Sequence, residues 1–298
     1  LEVIPEKLLI LGAGVIGLEM ATVFSRLGSE VTIVELLDGI LPGLSVHRRI
    51  RSLMKRSLKK AGVTIHTGLK ATDLRRKDGK GQVIAEGEEG EEQTFEVDKV
   101  LTAVGRAPVT DVLEANLELT DDGYVEVDGK LETSLEGVYA VGDLAGPPLL
   151  AHKATKEGLM AAEAFAGNGV TDYGAMPQAI FTDPEYASVG LTEEQAREGG
   201  REIKIGQFPL RASGKALAMG EPEGLVRLVV EEEGDQVLGG EILSPHASDL
   251  IAEVALAVQN GLTAAQLADT VHTHPTLSEA VMEAAENVHG QAIGIINR

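Results

Sequence analysis

The chain has 298 residues, of which 43% are hydrophobic, 47 are acidic, 26 are basic and none is cysteine. The formal net charge of -21 repels phosphate backbones and argues against nucleic acid binding, whereas it suits a cationic protein partner or a salt-rich cell interior. The lack of cysteine excludes a disulfide, a thiolate nucleophile and a zinc-cysteine site within the chain, and the absence of a long apolar run or a visible signal peptide predicts a cytoplasmic protein without a membrane span.

The first residue is Leu1 rather than Met, so we expect a truncated or processed start. The segment KLLILGAGVIGLEMATVFSRLGSEVTIVE then predicts a strand, a glycine turn, a helix and a second strand. In its G-x-G-x-x-G motif, Gly12 permits the tight turn, Gly14 lets a pyrophosphate approach the backbone, and Gly17 lets the helix close onto the strand. This order of elements predicts a dinucleotide site, and a glycine-rich turn without a ligand is the alternative.

Glu35 follows the second strand, VTIV. A carboxylate at this place accepts hydrogen bonds from both adenosine ribose hydroxyls and repels a 2′-phosphate, and Leu36 and Leu37 offer no arginine to neutralise that phosphate. The sequence therefore favours NAD over NADP. Glu19 is expected inside the first helix turn, where a negative charge complements the helix dipole.

The following stretch completes an α/β unit. A basic helix with a solvated face is predicted from Arg48 to Lys60, followed by the strand VTIHTG and a hairpin with the acidic tip GEEGEE. The strand VLTAV is apolar on both faces, as a central parallel strand should be. It ends at Gly105 and Arg106, on the carboxyl edge where open α/β sheets bind ligands.

A second apolar strand is predicted at GVYAVGD, and the chain then runs through GPPLLAH into a helix from about Ala151 to Ala166. The strand ends in Gly142 and Asp143. Asp143 could hydrogen-bond a sugar or polyol hydroxyl, or it could be a turn residue or a helix cap. The pattern leaves both interpretations open.

After Pro177 the sequence predicts an α+β unit of antiparallel strands and late helices. Near its end, HTHPTLSE places His274 just before the helix TLSEAVMEAAENV, with Glu279 about one turn inside. A neutral imidazole is well suited to take a proton, and a carboxylate on its other nitrogen fixes the tautomer. The pair could be a general base, or Glu279 could belong to a capping box opened by Thr276.

Six stretches together resemble the flavin-dependent pyridine nucleotide-disulfide oxidoreductases, and within that family the dihydrolipoamide dehydrogenase branch. They are LGAGVIGLE, TAVGRAPVT, TSLEGVYAVGD, LLAHKATKEG, TDPEYASVGLTEEQA and HTHPTLSEAV. The resemblance implies an α/β fold with three parts: a Rossmann-like NAD-binding domain with a parallel sheet (1–105), a second segment of the FAD-binding domain (106–175) and an α+β dimerisation domain (176–298).

The resemblance also implies FAD and NAD as cofactors, a homodimer, no metal, and the following roles. Glu19 would lie near the nicotinamide and flavin rings, Asp143 would hold the flavin's ribityl chain, and His274 and Glu279 would form the catalytic acid-base dyad that reaches the partner's flavin. Leu69 would lie near the adenine, and Leu150, Ala151 and His152 would lie beside the isoalloxazine ring. The other expected NAD-binding positions are Gly12, Ala13, Gly14, Val15, Ile16, Gly17, Glu35, Ala103, Val104, Gly105 and Arg106.

The chain departs from the family in one respect. Family members begin with a flavin-binding unit that carries a redox-active C-x4-C disulfide, and about this first third is missing from the sequence. The implied function is that of the last two-thirds of a dihydrolipoamide dehydrogenase, which oxidises dihydrolipoyl groups and reduces NAD+ through FAD. The alternatives are an NAD-binding, dimerising fragment that is inactive alone, and another flavin reductase such as an NADH oxidase.

The resemblance implies one further partner, the acyltransferase of a 2-oxoacid dehydrogenase complex. Its basic subunit-binding domain would bind the acidic chain.

Overall fold

A computed structural model describes residues 2–77, 79–111, 116–168 and 173–297; Leu1, where we expect the processed start, lies outside these residues. The chain forms two compact units, Leu1–Val104 with Pro177–Arg298, and Gly105–Met176. A parallel sheet and two antiparallel sheets confirm the predicted mixed α/β fold. The three-domain division stays a prediction.

The N-terminal elements alternate between strands and helices, as the glycine motif predicts. They are β1 (Lys7–Leu11), α1 (Val15–Arg26), β2 (Glu30–Val34), α2 (Arg48–Lys60), β3 (Thr64–His66), β4 (Leu69–Lys77), β5 (Lys80–Gly87), β6 (Glu92–Val97) and β7 (Lys99–Thr102). A parallel sheet has the order β3-β2-β1-β7. Helix α2 is amphipathic: Ile50, Met54 and Leu58 are buried, and its basic residues cover the outer face.

Strand β7 differs from the prediction of a central strand. Among the described residues it pairs only with β1, at the edge of the sheet, and its side chains are at most half-buried. The central position belongs to β1, where Leu9 and Ile10 are fully buried. The apolar composition of VLTAV predicted burial on both faces, but the position of a strand in a sheet depends on its neighbours and not on composition.

The predicted hairpin is confirmed as part of an antiparallel sheet of β4, β5 and β6. Residues from this sheet pack with Leu9 and Val34 of the parallel sheet in one hydrophobic cluster, which also contains Leu69, Val83, Ala85 and Val97. The sheet therefore covers one side of β1 and β2.

The unit Gly105–Met176 contains α3 (Ala151–Phe165), which agrees with the predicted helix. The expected strand GVYAVGD is wrong. Tyr139 makes one isolated antiparallel bridge to Glu132, and a short 3-10 turn, Gly142–Ala145, follows. A strand requires a continuous ladder with a neighbour, and apolar composition alone does not supply one.

The C-terminal part is the predicted α+β unit. Its elements are β8 (Gln178–Ile180), β9 (Glu185–Gly190), α4 (Glu193–Glu198), β10 (Ile203–Pro209), α5 (Gly214–Met219), β11 (Leu225–Glu231), β12 (Val237–Ser244), α6 (Ala247–Asn260), α7 (Ala264–Asp269) and α8 (Glu279–Val288). The strands form an antiparallel sheet with the order β10-β11-β12-β9-β8. None of the described helices is long and apolar enough to cross a membrane.

The main hydrophobic core joins the N-terminal and C-terminal parts of the first unit. Leu18 of α1 and Ile50 of α2 belong to the same buried cluster as Tyr186, Leu225 and Leu243 of the antiparallel sheet. Helix α1 of the glycine motif and the antiparallel sheet of the C-terminal part therefore share one core.

Candidate functional site

The glycine loop has the backbone shape that a dinucleotide site requires. Gly12 has φ +101°, and a Cβ there would lie 2.4 Å from the Ala103 carbonyl oxygen. A Cβ on Gly17 would lie 2.0 Å from the Gly12 carbonyl oxygen, whereas a Cβ on Gly14 would meet nothing within 4 Å. Two glycines are thus required for close packing, and the third keeps open space in front of the N-terminus of α1.

Glu35 holds this loop in place. The side chain is buried, with 6% exposure; Oε2 accepts from the Ala13 N–H at 2.7 Å and Oε1 from the Leu37 N–H at 2.8 Å. A carboxylate has about four acceptor positions, so two remain for ribose hydroxyls. The ribose role of Glu35 stays a prediction. Its structural role was missed, because a strand pattern does not reveal which backbone N–H groups a side chain will meet.

The remaining predicted nucleotide positions differ in exposure. Ala13 is fully buried, Ile16 is 45% exposed and Val104 is 72% exposed, while Val15 and Ala103 are half-buried. Leu69, expected near the adenine, is 5% exposed and belongs to the hydrophobic cluster under β4. The exposed members provide apolar surface beside the loop, and the Leu69 side chain contributes mainly to the core.

Glu19 lies beyond the first turn of α1, which contains no acidic residue. The interpretation as a first-turn dipole charge is therefore wrong. Its Oε1 accepts from the Phe181 N–H at 2.9 Å, and the side chain is half-buried. Glu19 thus connects α1 to the segment after β8, in addition to the cofactor role that the resemblance implies.

In the second unit, Arg106 and Asp143 lie against each other, although the sequence assigned them to different cofactors. Arg106 Nη2 donates to Asp143 Oδ2 at 2.5 Å, and both side chains are partly exposed. Gly105, before Arg106, has φ +126°. Further along the chain, Leu150 is the N-cap of α3 and Ala151 its first residue, and His152 is exposed.

A buried ion pair that sequence analysis missed supports the turn that carries Asp143. Lys153 and Glu157, both with side chains 3% exposed, are 2.9 Å apart. Glu157 Oε2 accepts from the Gly142 N–H at 2.7 Å, and Lys153 Nζ donates to the Gly146 carbonyl at 3.0 Å. The i, i+4 spacing of Lys153 and Glu157 was visible in the sequence, but it usually indicates an exposed helix pair.

The predicted histidine-glutamate pair is brought together at the start of α8. His274 Nδ1 lies 2.8 Å from Glu279 Oε1, and the His274 side chain is 78% exposed. Burial raises the pKa of Glu279, but hydrogen bonds from the Thr276 N–H and from His274 outweigh it, so the pKa lies below its ordinary value. An ionised carboxylate holds a hydrogen on Nδ1 and leaves the Nε2 lone pair available as a base.

Helix α8 begins at Glu279 and not at Thr276, so the prediction that Glu279 lies one turn inside the helix is wrong. Glu279 Oε2 accepts from the Thr276 N–H at 2.8 Å, which is one half of a capping box. Thr276 Oγ1 instead donates to the Thr273 carbonyl at 2.7 Å. One oxygen of the carboxylate therefore contacts the His274 ring and the other the Thr276 N–H.

A second histidine in the same segment escaped the sequence analysis. His272 Nε2 lies 2.7 Å from Glu253 Oε1 of α6, and its side chain is only 6% exposed. No short-range pattern connects these two residues, since they are 19 positions apart.

A buried charged cluster lies where the N-terminus of α2 meets the antiparallel sheet. Arg227 is paired with Glu241 at 3.2 Å and with Glu193 at 2.6 Å, while the Tyr186 hydroxyl donates to Glu241 at 3.1 Å. Burial raises the pKa of Glu241. The cluster connects α4, β11 and β12, and we assign it a structural role.

Comparisons with known proteins cover most of the chain. The family model of pyridine nucleotide-disulphide oxidoreductases matches residues 1–158, and the model of that family's dimerisation domain matches residues 176–285. Among curated relatives, the dihydrolipoyl dehydrogenase of Haloferax volcanii is 47% identical over all of this chain and 63% of its own length. That of Thermus scotoductus is 46% identical, over 65% of its length.

Two solved structures superpose closely on the chain. LpdA from Mycobacterium tuberculosis superposes with a TM-score of 0.89 at 29% identity, over 97% of this chain and 62% of that one. The flavoprotein disulfide reductase RclA from Escherichia coli superposes with a TM-score of 0.88 at 29% identity, over 96% of this chain and 65% of that one. The chain thus spans a little under two-thirds of the relatives that it matches.

Proposed function

The chain belongs to the pyridine nucleotide-disulphide oxidoreductase family, and from this premise we propose that it is the NAD-binding and dimerisation part of a dihydrolipoyl dehydrogenase. The proposed reaction is the oxidation of a dihydrolipoyl dithiol with reduction of NAD+. Because the chain contains no cysteine, the redox-active disulfide has to come from outside these 298 residues.

One observation carries the proposal: an exposed imidazole whose Nδ1 faces a carboxylate, His274 with Glu279. A thiol with an ordinary pKa near 8.5 is mostly protonated at neutral pH, so its oxidation needs a base. His274 Nε2 would take a proton from the dithiol, and Glu279 would stabilise the imidazolium that forms. In a homodimer, the exposed ring would act on the active site of the partner subunit.

The nucleotide part of the proposal depends on the glycine loop and Glu35. The open space at Gly14 and the N-terminus of α1 fit a pyrophosphate. The Glu35 carboxylate would accept hydrogen bonds from the ribose hydroxyls and repel a 2′-phosphate. This arrangement favours NAD over NADP. Ala13, Val15, Ile16, Gly17, Leu69, Ala103, Val104, Gly105 and Arg106 are the other proposed members of this site.

FAD, the second cofactor of the family, would supply the electron relay between dithiol and nicotinamide. Asp143 would bind its ribityl hydroxyls: Oδ2 accepts from Arg106, and a carboxylate has further acceptor positions. The support of the Asp143 turn by Lys153 and Glu157 fits this task, because a ligand-binding turn benefits from a fixed backbone. Leu150, Ala151 and His152 would border the ring system, and Glu19 would lie between flavin and nicotinamide.

The acidic charge of -21 would steer a basic subunit-binding domain of an acyltransferase towards the dimerisation part. Association that weakens as salt is added would support this partner, and salt-independent association would argue against it. The cytoplasmic location also stays a prediction.

The proposed function is tested with the full-length gene product. We expect bound flavin in the purified protein, and NADH formation from NAD+ with dihydrolipoamide but not with reduced glutathione. Turnover with NAD+ should exceed that with NADP+ at equal concentrations. Flavin reduction by NADH without any turnover of dihydrolipoamide would instead indicate another flavin reductase.

A further inference from the structure

His272 and Glu253 form a second histidine-carboxylate pair, close to the proposed catalytic pair but of opposite character. The His272 side chain is 6% exposed, whereas that of His274 is 78% exposed. His272 Nδ1 lies 2.7 Å from the Thr270 carbonyl oxygen, and its Nε2 lies 2.7 Å from Glu253 Oε1. Both ring nitrogens are therefore occupied within the protein, and His272 has none free for a substrate.

The two contacts of His272 require an additional proton. A carbonyl oxygen only accepts, so Nδ1 carries a hydrogen; an ionised carboxylate also only accepts. A neutral imidazole has a single N–H, and the second contact therefore needs one more proton, on Nε2 or on Glu253. The His272 ring is thus held at both nitrogens by contacts of 2.7 Å, one to the backbone of Thr270 and one to α6.

The segment that carries His274 depends on attachments of this kind. Residues 271–276 lie between helices and, in the described chain, make no backbone-to-backbone hydrogen bond. Val271 is 94% exposed, so it provides little packing. Thr276 and Glu279 hold the end that leads into α8, and at the other end His272 reaches into the protein to α6.

We propose that His272 and Glu253 are a positioning pair: their contact fixes the 271–276 segment on α6 and thereby sets where the His274 ring is presented. This inference rests on the proposed function, because it assumes that His274 is the base. His272 touches no substrate in this role, and it acts only through the position of His274.

The variants Glu253→Gln and Glu253→Leu separate this role from general stability. The amide introduced by Glu253→Gln can donate to an unprotonated Nε2 while Nδ1 keeps its bond to Thr270, so the contact survives without the extra proton. Glu253→Leu removes the contact. The matched control is Asp249→Leu on the same helix, because Asp249 and its partner His246 are 3.7 Å apart and both exposed.

The first measurement needs no enzymatic activity. In the full-length gene product labelled with 15N-histidine, long-range 1H–15N spectra report which ring nitrogens of His272 and His274 carry hydrogen and how mobile the rings are. In the parent protein and in Asp249→Leu we expect a rigid His274 ring with hydrogen on Nδ1. In Glu253→Leu we expect faster ring motion of His274 and a His272 ring with a single N–H, and Glu253→Gln should retain the rigid His274 ring.

The second measurement is turnover. A displacement of about 1 Å can cost on the order of 100-fold in rate, so Glu253→Leu should lower kcat with dihydrolipoamide on the order of 10- to 100-fold, with little change in KM for NAD+. Diaphorase activity with an artificial acceptor should stay within about threefold, since it does not use the base. Glu253→Gln should recover most of the lost turnover.

Unchanged His274 ring motion in Glu253→Leu would overturn the inference, as would a parallel loss of dithiol and diaphorase activities. If the parent protein does not oxidise dihydrolipoamide at all, the proposed function fails. The ring-motion comparison then still decides whether His272 and Glu253 hold the segment.

Discussion

The glycine loop and the His274 segment are held in place in different ways. Residues 12–17 are fixed mainly by the backbone: the Gly12 N–H donates to the Val34 carbonyl at 2.9 Å, Gly17 packs against Gly12, and the side-chain acceptor Glu35 directly follows β2. Residues 271–276 are fixed by side chains on neighbouring elements. The first arrangement is readable from a local motif, whereas the second depends on contacts between residues far apart in the chain.

Each region uses one glutamate with both oxygens engaged. Glu35 is 6% exposed and accepts from two backbone N–H groups. The Glu279 side chain is 24% exposed and accepts from one backbone N–H and from the His274 ring. The buried glutamate stabilises a backbone shape, and the more exposed one contacts an exposed imidazole.

Gly17→Ala should produce the largest effect on stability. Its Cβ would lie 2.0 Å from the Gly12 carbonyl oxygen, so α1 has to move away from β1, at a cost of about 3 kcal/mol. We expect the free energy of unfolding to fall by this amount in denaturant titrations, together with loss of NADH binding. Gly158→Ala is the control, because it meets nothing within 4 Å in α3, and it should be neutral or slightly stabilising. An equal loss of unfolding free energy in both variants would contradict the close packing of Gly17 against Gly12.

Glu35→Ala should cost about 2 kcal/mol, because it leaves the buried Ala13 N–H without its acceptor. Glu35→Gln keeps one acceptor oxygen and should lose less stability. It also removes the negative charge, so the ratio of NADPH to NADH affinity should rise. Fluorescence titration with both nucleotides checks the ratio, and an unchanged ratio would count against the ribose role.

Gly14→Ala should separate binding from stability. Nothing lies within 4 Å of the added Cβ, so the free energy of unfolding should change by less than about 0.5 kcal/mol. The methyl group would occupy the space proposed for the pyrophosphate, and NADH affinity should fall about tenfold, or about 1.4 kcal/mol. Unchanged affinity would show that the nucleotide does not approach this glycine.

Glu279→Gln should lower the free energy of unfolding only slightly, by less than about 1 kcal/mol, because solvent screens the partly exposed pair. The pKa of Glu279 is lowered in the folded protein, so its stabilising contribution is present above its unfolded-state value and is lost as pH falls through the folded-state value. The stability difference between parent and variant should therefore shrink as the pH falls below the ordinary pKa of a glutamate. A difference that grows on acidification would contradict the ionised state of Glu279.

The sequence predicted the local features well. The glycine motif predicted the strand, turn and helix around Gly12, and the spacing in HTHPTLSE predicted that His274 and Glu279 would meet. It failed where pairing between strands decides. The apolar runs VLTAV and GVYAVGD predicted a central strand and a second strand. A central strand needs a hydrogen-bonded strand on each side and any strand needs at least one, and apolar composition does not supply either. The contact of His272 with Glu253 was unpredictable because α7 and a loop separate the two residues along the chain.

Rapid-mixing kinetics on the full-length gene product distinguish a His274 that serves the dithiol, as proposed, from one that serves the nucleotide. Flavin reduction by dihydrolipoamide and flavin reduction by NADH are recorded separately for the parent and for His274→Gln. Loss of a general base should slow the first reaction by about 10²- to 10⁴-fold and leave the second unchanged. If both reactions slow equally, or if neither slows, His274 is not the base that serves the dithiol.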